Sequence, residues 1–161
     1  MRWCTRFVPI LMLTLTFAAI ARADEFTIDL KAQTGKEPMT ASASYPAGDK
    51  KSQPRAVLMA SAKSPVTVKW TVRNIEKATA KDALVHVFVV KIDKPDQREV
   101  PKLTKDVVVQ SALTTDFKAE DKAQGEVTFT VANPGIYLLR VEIKKTAAKE
   151  EPSAALDIVV R

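Results

Sequence analysis

The sequence predicts an all-β fold, an antiparallel β-sandwich of seven or eight strands, and three observations support this prediction. Apolar and polar residues alternate with a period of two over much of the chain, as they do in half-buried strands. Turn residues separate these alternating runs. Convincing helical periodicity is missing, and the run over 75–83 could form one turn at most. Short strands separated by turns, within the length of one domain, are typical of a sandwich.

The predicted strands follow one another from residue 26 to the C-terminus. The clearest is Val66–Val72, where valines and Trp70 alternate with threonines and Lys69, so that one face is apolar and the other polar. Similar alternation occurs at 26–30, 127–131, 137–143 and 156–160, and less regular strand-like runs occur at 84–92, 106–113 and 55–60. The short Asn133-Pro134-Gly135 turn predicts a hairpin between the strands on either side of it.

Two polar stretches predict long loops. Ala32–Pro54 contains two glycines and three prolines, and Asp93–Lys105 contains two prolines among seven charged residues. Loops longer than ~12–15 residues without their own secondary structure are often functional or disordered. We therefore expect Ala32–Pro54 to be a mobile or draped loop.

The first 23 residues are predicted to be a secretory signal peptide. Arg2 and Arg6 precede the apolar run Phe7–Ile20, and Ala21-Arg22-Ala23 is a small-x-small cleavage site. Cleavage would leave one domain, residues 24–161, in the periplasm or secreted from the cell. No other apolar stretch approaches the ~20 residues of a membrane-spanning helix.

Removal of the signal peptide changes the composition in two ways. Arg2, Arg6 and Arg22 leave while no acidic residue does, so the net charge falls from +6 to +3. Cys4 is the single cysteine, so the remaining domain can form no disulfide and no thiolate metal site. Interleaved charges and an aromatic content of 6% argue against nucleic-acid binding. We expect an envelope protein or polysaccharide as the partner, and a monomer or weak oligomer.

The predicted strand Leu84–Ile92 is unusual because both of its faces are apolar. Its even-numbered residues would form one face, and Val85, Val87 and Val89 would form the other. A sandwich strand with two apolar faces needs a cover on its outer side. We expect that cover to come from Ala32–Pro54, from another subunit or from a ligand, and the sequence leaves open which face points to the core.

His86 in this strand is the single histidine of the chain. A serine-hydrolase triad would need it as the base, but the sequence has no Gly-x-Ser-x-Gly motif. A metal site would need further ligands, for which Met39 and Met59 are the thioether candidates. We therefore predict no catalytic residue, no metal and no cofactor, and a structural role for the imidazole. The weak candidates for ligand contact are His86, Phe88 and two aromatic residues predicted to lie in loops, Tyr45 and Phe117.

Two segments carry a resemblance to a known family. Ser64–Asn74, a polar connector and Ala83–Val90 form one, and Asn133–Glu142, in which a Pro-Gly turn leads into a strand carrying Tyr137, forms the other. Over about residues 64–161 the chain resembles bacterial immunoglobulin-like modules of the CARDB-like group, with a pattern similar to fibronectin type III. Those modules usually place a glycine soon after the asparagine, whereas Ile75-Glu76 follow here. The resemblance implies an immunoglobulin-like fold without catalysis, and no functional residues carry over.

Together these features predict an exported, non-catalytic β-sandwich with a binding, adhesion or structural role at the cell envelope. The alternative function is a periplasmic carrier that uses His86 to hold a metal or a small ligand. The two functions differ in whether His86 is free to bind a ligand.

Overall fold

The structure, a computed structural model, describes residues 25–35, 39–46, 54–103, 107–144 and 151–161. The predicted signal peptide and its cleavage site lie outside these residues. Nine strands are found in the described part of the chain. They are β1 (Phe26–Thr34), β2 (Met39–Tyr45), β3 (Val57–Ala60), β4 (Pro65–Asn74), β5 (Ala80–Ile92), β6 (Val107–Phe117), β7 (Lys122–Thr130), β8 (Gly135–Lys144) and β9 (Ser153–Val160).

The strands form two sheets that pack face to face. One sheet has four strands in the order β2-β1-β4-β7, and the other has five in the order β3-β9-β8-β5-β6. Neighbouring strands are antiparallel except β3 and β9, which pair in parallel from Val57 opposite Asp157 to Ala60 opposite Val160. The predicted immunoglobulin-like β-sandwich is therefore confirmed, with nine described strands in place of the expected seven or eight.

The main core lies between the two sheets. Phe26 packs edge to face on Phe117, with ring centroids 5.4 Å apart. The residues that alternation predicted to point inwards on β1, β4, β8 and β9 do so. The largest fully buried side chains of this core are Phe26, Phe117, Ile28, Leu30, Leu58, Leu139, Ile143, Leu156 and Ile158.

The prediction of a long loop over Ala32–Pro54 is wrong in its first part. β1 continues to Thr34, and Met39–Tyr45 forms β2, which pairs antiparallel with β1 from Thr34 opposite Met39 to Ile28 opposite Tyr45. On its core side β2 carries the small residues Ala41 and Ala43. An edge strand with small inward residues lacks the large apolar side chains that mark a strand in the sequence.

The hairpin predicted at Asn133-Pro134-Gly135 is also wrong. β7 belongs to the four-stranded sheet and β8 to the five-stranded sheet, so the turn crosses between the sheets. Tyr137 stabilises this crossing, because its hydroxyl donates a hydrogen bond of 2.9 Å to the carbonyl of Asn133. Turn residues specify a change of direction, and they do not specify which sheet receives the next strand.

Asn74, at the end of β4, ties together the β4–β5 and β6–β7 connections at one end of the sandwich. Its side-chain amide donates to the carbonyls of Ala78, Phe117 and Lys118 at 2.9, 3.3 and 3.0 Å. The side-chain oxygen of Asn74, Oδ1, accepts a hydrogen bond of 3.0 Å from the backbone N–H of Glu76. The side chain is fully buried, so these bonds compensate for its desolvation. No helix in the described ranges is long and apolar enough to cross a membrane.

Candidate functional site

The outer face of β5 is covered, as its sequence requires, and the cover comes from the same chain. Val85, Val87 and Val89 face the main core. On the other side, Phe88, Val90 and Ile92 join Leu138 of β8 in a second apolar cluster. The residues packed against this cluster are Val100, Leu103, Val107, Ile136 and Ala155. The covering segment is therefore residues 93–103, here called the strap. Of the three covers considered, the described part of Ala32–Pro54 does not pack against this cluster.

A buried ion pair holds the strap in place. Asp157 of β9 is fully buried, and its Oδ1 accepts a 2.9 Å hydrogen bond from Nε of Arg55. Its other oxygen accepts from the backbone N–H of Asp96 at 2.6 Å. Both terminal nitrogens of Arg55 donate to the carbonyl of Gln97 at 3.0 Å. These bonds fix the strap to β9 and to Arg55, which lies two residues before β3. The alternation in the sequence places Asp157 on a polar face and so does not reveal these contacts.

His86 lies on the same outer face, in a cluster of charged side chains. It pairs across the strands with Glu142 of β8, and its Nδ1 lies 3.1 Å from Oε1 of that carboxylate. Arg140 Nε is 2.9 Å from Oε2, and Lys144 Nζ is 3.1 Å from Oε1. The side chain of Glu142 is only 5% exposed, so one buried carboxylate is shared by three nitrogen-bearing side chains. The cluster of His86, Arg140, Glu142 and Lys144 is called the Glu142 cluster below.

The imidazole of His86 is packed closely against its neighbours on this face. The ring of His86 stacks at a tilt on Phe88, with centroids 5.1 Å apart. Nε2 of His86 is buried and has no hydrogen-bond partner among the described residues. Because the ring lies between Phe88 and the Glu142 carboxylate, its position is fixed by packing and by one hydrogen bond.

The residues considered as metal ligands do not meet. Met39 and Met59 line a small cavity of about 430 Å³ together with Arg161, and His86 is not among its lining residues. In the part of the chain that the structure describes, no group of three or more His, Cys, Asp or Glu side chains could hold a metal. The geometry therefore gives no support to a site built from His86 and the two methionines.

The remaining candidate aromatic residues are not exposed platforms. Phe88 is fully buried, and Phe117 is 1% exposed at the end of β6, not in a loop as predicted. Tyr45, at the end of β2, is half-buried and packs against the main core. A role for these rings in ligand binding stays a prediction.

An open groove of about 900 Å³ lies beside β1, β2 and β9, and its lining mixes acidic and basic side chains. Two of its charged residues, Arg55 and Asp96, are engaged in holding the strap. Trp70 also borders the groove, but its indole lies across Gly125 of β7, where an added Cβ would approach the ring to 2.5 Å. Three of the side chains that line the groove, those of Arg55, Asp96 and Trp70, are therefore engaged in the fold itself.

The longest run of exposed residues within a described strand lies in β6, at one edge of the five-stranded sheet. It pairs with β5 on one side, and no described strand pairs with it on the other. Five consecutive residues, Gln110 to Thr114, are exposed. Leu113 is 45% exposed although it lies opposite the core-facing Val85. The unpaired side of β6, residues 107–117, is called the β6 edge.

The other sheet edges are protected, each in a different way. β7 carries Lys122 and Glu126, and Glu126 forms an exposed ion pair of 3.2 Å with Lys69. β3 is only four residues long. β2 packs against β3 and β9 of the opposite sheet. Among the described residues, β6 has no charge and no strand on its free side from Val107 to Thr115. The register shift opposite Val89 and Val90 places a β-bulge near Val108, which is its one edge protection.

Comparison with known proteins identifies no family. No family model matches the sequence, and no curated protein matches it. The solved structures that resemble the chain include the C-terminal domain of Wzt, at 10% identity and TM-score 0.46, covering 82% of this chain and 70% of that one. They also include the CARDB domain of PF1109 from Pyrococcus furiosus, at 10% identity and TM-score 0.47, covering 63% of this chain and 84% of that one. A third is the soluble domain of PmoD from Methylocystis sp., at 14% identity and TM-score 0.44, covering 83% of this chain and 90% of that one. The likeness concerns the fold alone.

Proposed function

We propose that the chain is an exported, non-catalytic binding module of the cell envelope that holds its partner by strand addition at the β6 edge. The observation that supports this proposal is the exposed and uncharged run Gln110–Thr114. An unpaired strand presents a row of N–H and C=O groups, and a strand added from a partner satisfies them. Main-chain hydrogen bonds would provide the affinity, and the side chains of β6 would provide the specificity.

The state of the charged residues supports a binding role over a catalytic one. In the Glu142 cluster, the carboxylate already contacts His86, Arg140 and Lys144, and the side chains of His86 and Glu142 are at most 8% exposed. A general base must come within hydrogen-bond reach of the proton that it abstracts. These groups are instead turned towards one another, which fits a structural role.

Site-specific photo-crosslinking tests the proposal in cells that produce the full chain. A benzoylphenylalanine placed at Gln110 on the β6 edge should give a discrete crosslinked product. The matched control is the same group at Thr130, which is an exposed residue of the protected β7 edge. Equal products from both positions, or none from Gln110, would contradict binding at β6.

Export is tested separately, by the mass of the protein recovered from the envelope or medium. If the predicted signal peptide is cleaved after Ala23, the exported chain begins at Asp24. Recovery of the chain in the cytoplasm with residues 1–23 still attached would contradict the proposed location at the cell envelope. The binding role of β6 would then need to be sought among cytoplasmic partners.

A further inference from the structure

We propose that the strand added at the β6 edge is β6 of a second copy of this chain, paired antiparallel about a twofold axis near Ala112. This inference rests on the proposed function, because it requires the β6 edge to accept a strand. The pairing would join two five-stranded sheets into one continuous sheet. Twofold contacts of this kind are self-complementary, since the same surface serves both partners.

The charge of β6 favours its own copy as the partner. From Val107 to Thr115 the strand has no charged residue, although 27% of the chain is charged. Like charges directly opposite each other destabilise a strand pair, so an uncharged strand accepts its own copy without that penalty. Asp116 is the first charge after this run, and its Oδ1 accepts a 2.8 Å hydrogen bond from the backbone N–H of Asp82. That carboxylate is therefore held towards β5, away from the free edge.

The side chains of β6 also suit a twofold axis at Ala112. With this register, Ser111 of one copy lies opposite Leu113 of the other, on the core side of the joined sheet. On the outer side, Gln110 lies opposite Thr114, and the small Ala112 faces its own copy. Each exposed Leu113 then gains a neighbouring strand, which explains why an apolar side chain on the core side is left 45% exposed in the single chain.

The length of β6 sets the expected strength of the contact. Eleven residues of strand span roughly 36 Å at about 3.3 Å per residue. Pairing of one strand buries less surface than a standard interface of about 1,600 Å², so a weak complex is expected. We expect a dissociation constant on the order of micromolar.

Sedimentation equilibrium of the chain without residues 1–23 tests the inference. Between about 1 µM and about 500 µM, a range that brackets micromolar affinity, the mass should rise from one chain towards two. Ser111→Lys places a positive charge near the axis in both copies and should raise the dissociation constant by about tenfold or more, by like-charge repulsion. The matched control Thr130→Lys, at an exposed position of β7, should leave it unchanged.

A cysteine variant gives a second measurement that does not depend on a destabilising substitution. Cys4 lies within residues 1–23, so Ala112→Cys would introduce the single thiol of the shortened chain. Oxidation should give a covalent dimer from Ala112→Cys and not from Thr130→Cys, because residues at the axis lie directly opposite each other. Far-ultraviolet circular dichroism establishes that each variant is folded.

The outcomes separate this inference from the proposed function. A monomer at every concentration, or a dimer that Ser111→Lys does not weaken, overturns the inference. If Gln110 nevertheless crosslinks to a different protein, the strand-addition function stands with another partner. If neither a dimer nor a crosslink at Gln110 forms, both proposals fall.

Discussion

The outer face of the five-stranded sheet has two halves that meet on β5 and are covered differently. Around Phe88 and Leu138 the face is apolar and lies under the strap. Around His86 and Glu142 it is charged, and the buried carboxylate is surrounded by nitrogen-bearing side chains. The first half is covered by the strap, the segment that directly follows β5, and the second by side chains of the sheet itself. The outer face of one strand, β5, is therefore covered in different ways at different positions along its length.

The two halves should differ in how much stability depends on one residue. Under the strap, the cover depends on Asp157, which contacts both Arg55 and the backbone of Asp96. In the Glu142 cluster, Lys144 is 43% exposed, so water shares in solvating the charge. We expect substitutions in the strap half to cost more, and the following predictions test that order.

The largest loss is expected from Asp157→Ala. The substitution leaves Arg55 without its carboxylate and the N–H of Asp96 without an acceptor, and breaking a buried pair in this way costs about 3–5 kcal/mol. The free energy of unfolding in urea measures the loss. Glu151→Ala, at an exposed carboxylate 3.9 Å from Lys144, is the control and should cost less than about 1 kcal/mol. Similar losses in both variants would contradict a special role of Asp157.

The same variant should also release the strap. Amide hydrogen exchange at residues 96–103 should accelerate in Asp157→Ala, while exchange in β4 should follow global unfolding alone. Unchanged protection of residues 96–103 would show that apolar contacts hold the strap without the ion pair.

The next largest loss is expected from Leu138→Ala, beneath the strap. Leu138 is 1% exposed, and truncation of a buried leucine costs about 2–4 kcal/mol, partly through the cavity that remains. Leu113→Ala is the matched control at low protein concentration, because Leu113 is 45% exposed there, and it should cost less than about 1 kcal/mol. Equal losses would mean that the strap does not exclude water from the cluster.

A smaller loss is expected from Glu142→Gln in the charged half. The amide keeps the volume of the side chain and removes its charge, so His86, Arg140 and Lys144 lose their shared partner, at a cost of about 1–3 kcal/mol. Glu126→Gln, in the exposed pair with Lys69, should change stability by less than about 0.5 kcal/mol. A stabilised Glu142→Gln variant would show that burial of the carboxylate costs more than its contacts return.

The smallest effect is expected from Lys144→Ala, at the exposed side of the same cluster. Half of its side chain already contacts solvent, so the loss should be at most about 1 kcal/mol and should shrink as salt is added. Urea unfolding at low and high ionic strength measures this. A loss that is large and independent of salt would place Lys144 among the buried members of the cluster.

The sequence predicts the inner half of this architecture well. Alternation on β4 and β8 assigns the core face correctly, because one side of each strand is buried whichever strands surround it. The two apolar faces of Leu84–Ile92 also predict that a cover must exist. The identity of the cover is not predictable in the same way, since alternation reports the polarity of a face and not the segment that contacts it.

The missed features depend on partners far away in sequence or on small residues. Arg55 and Asp157 are 102 positions apart, and Asp96 and Asp157 are 61 apart, so no local pattern joins them. β2 escaped prediction because its inward residues are alanines. The β6 edge has a signal in the sequence, nine consecutive residues without charge from Val107 to Thr115. Longer uncharged runs occur at 38–48 and 127–139, so this signal alone does not single out the edge.

The parallel pairing of β3 with β9 has a consequence for the order in which the protein can fold. Residues 57–60 find their strand partner only in residues 157–160, so this part of the sheet cannot close while the chain is still being synthesised up to that point. Contacts between residues so far apart in sequence slow folding.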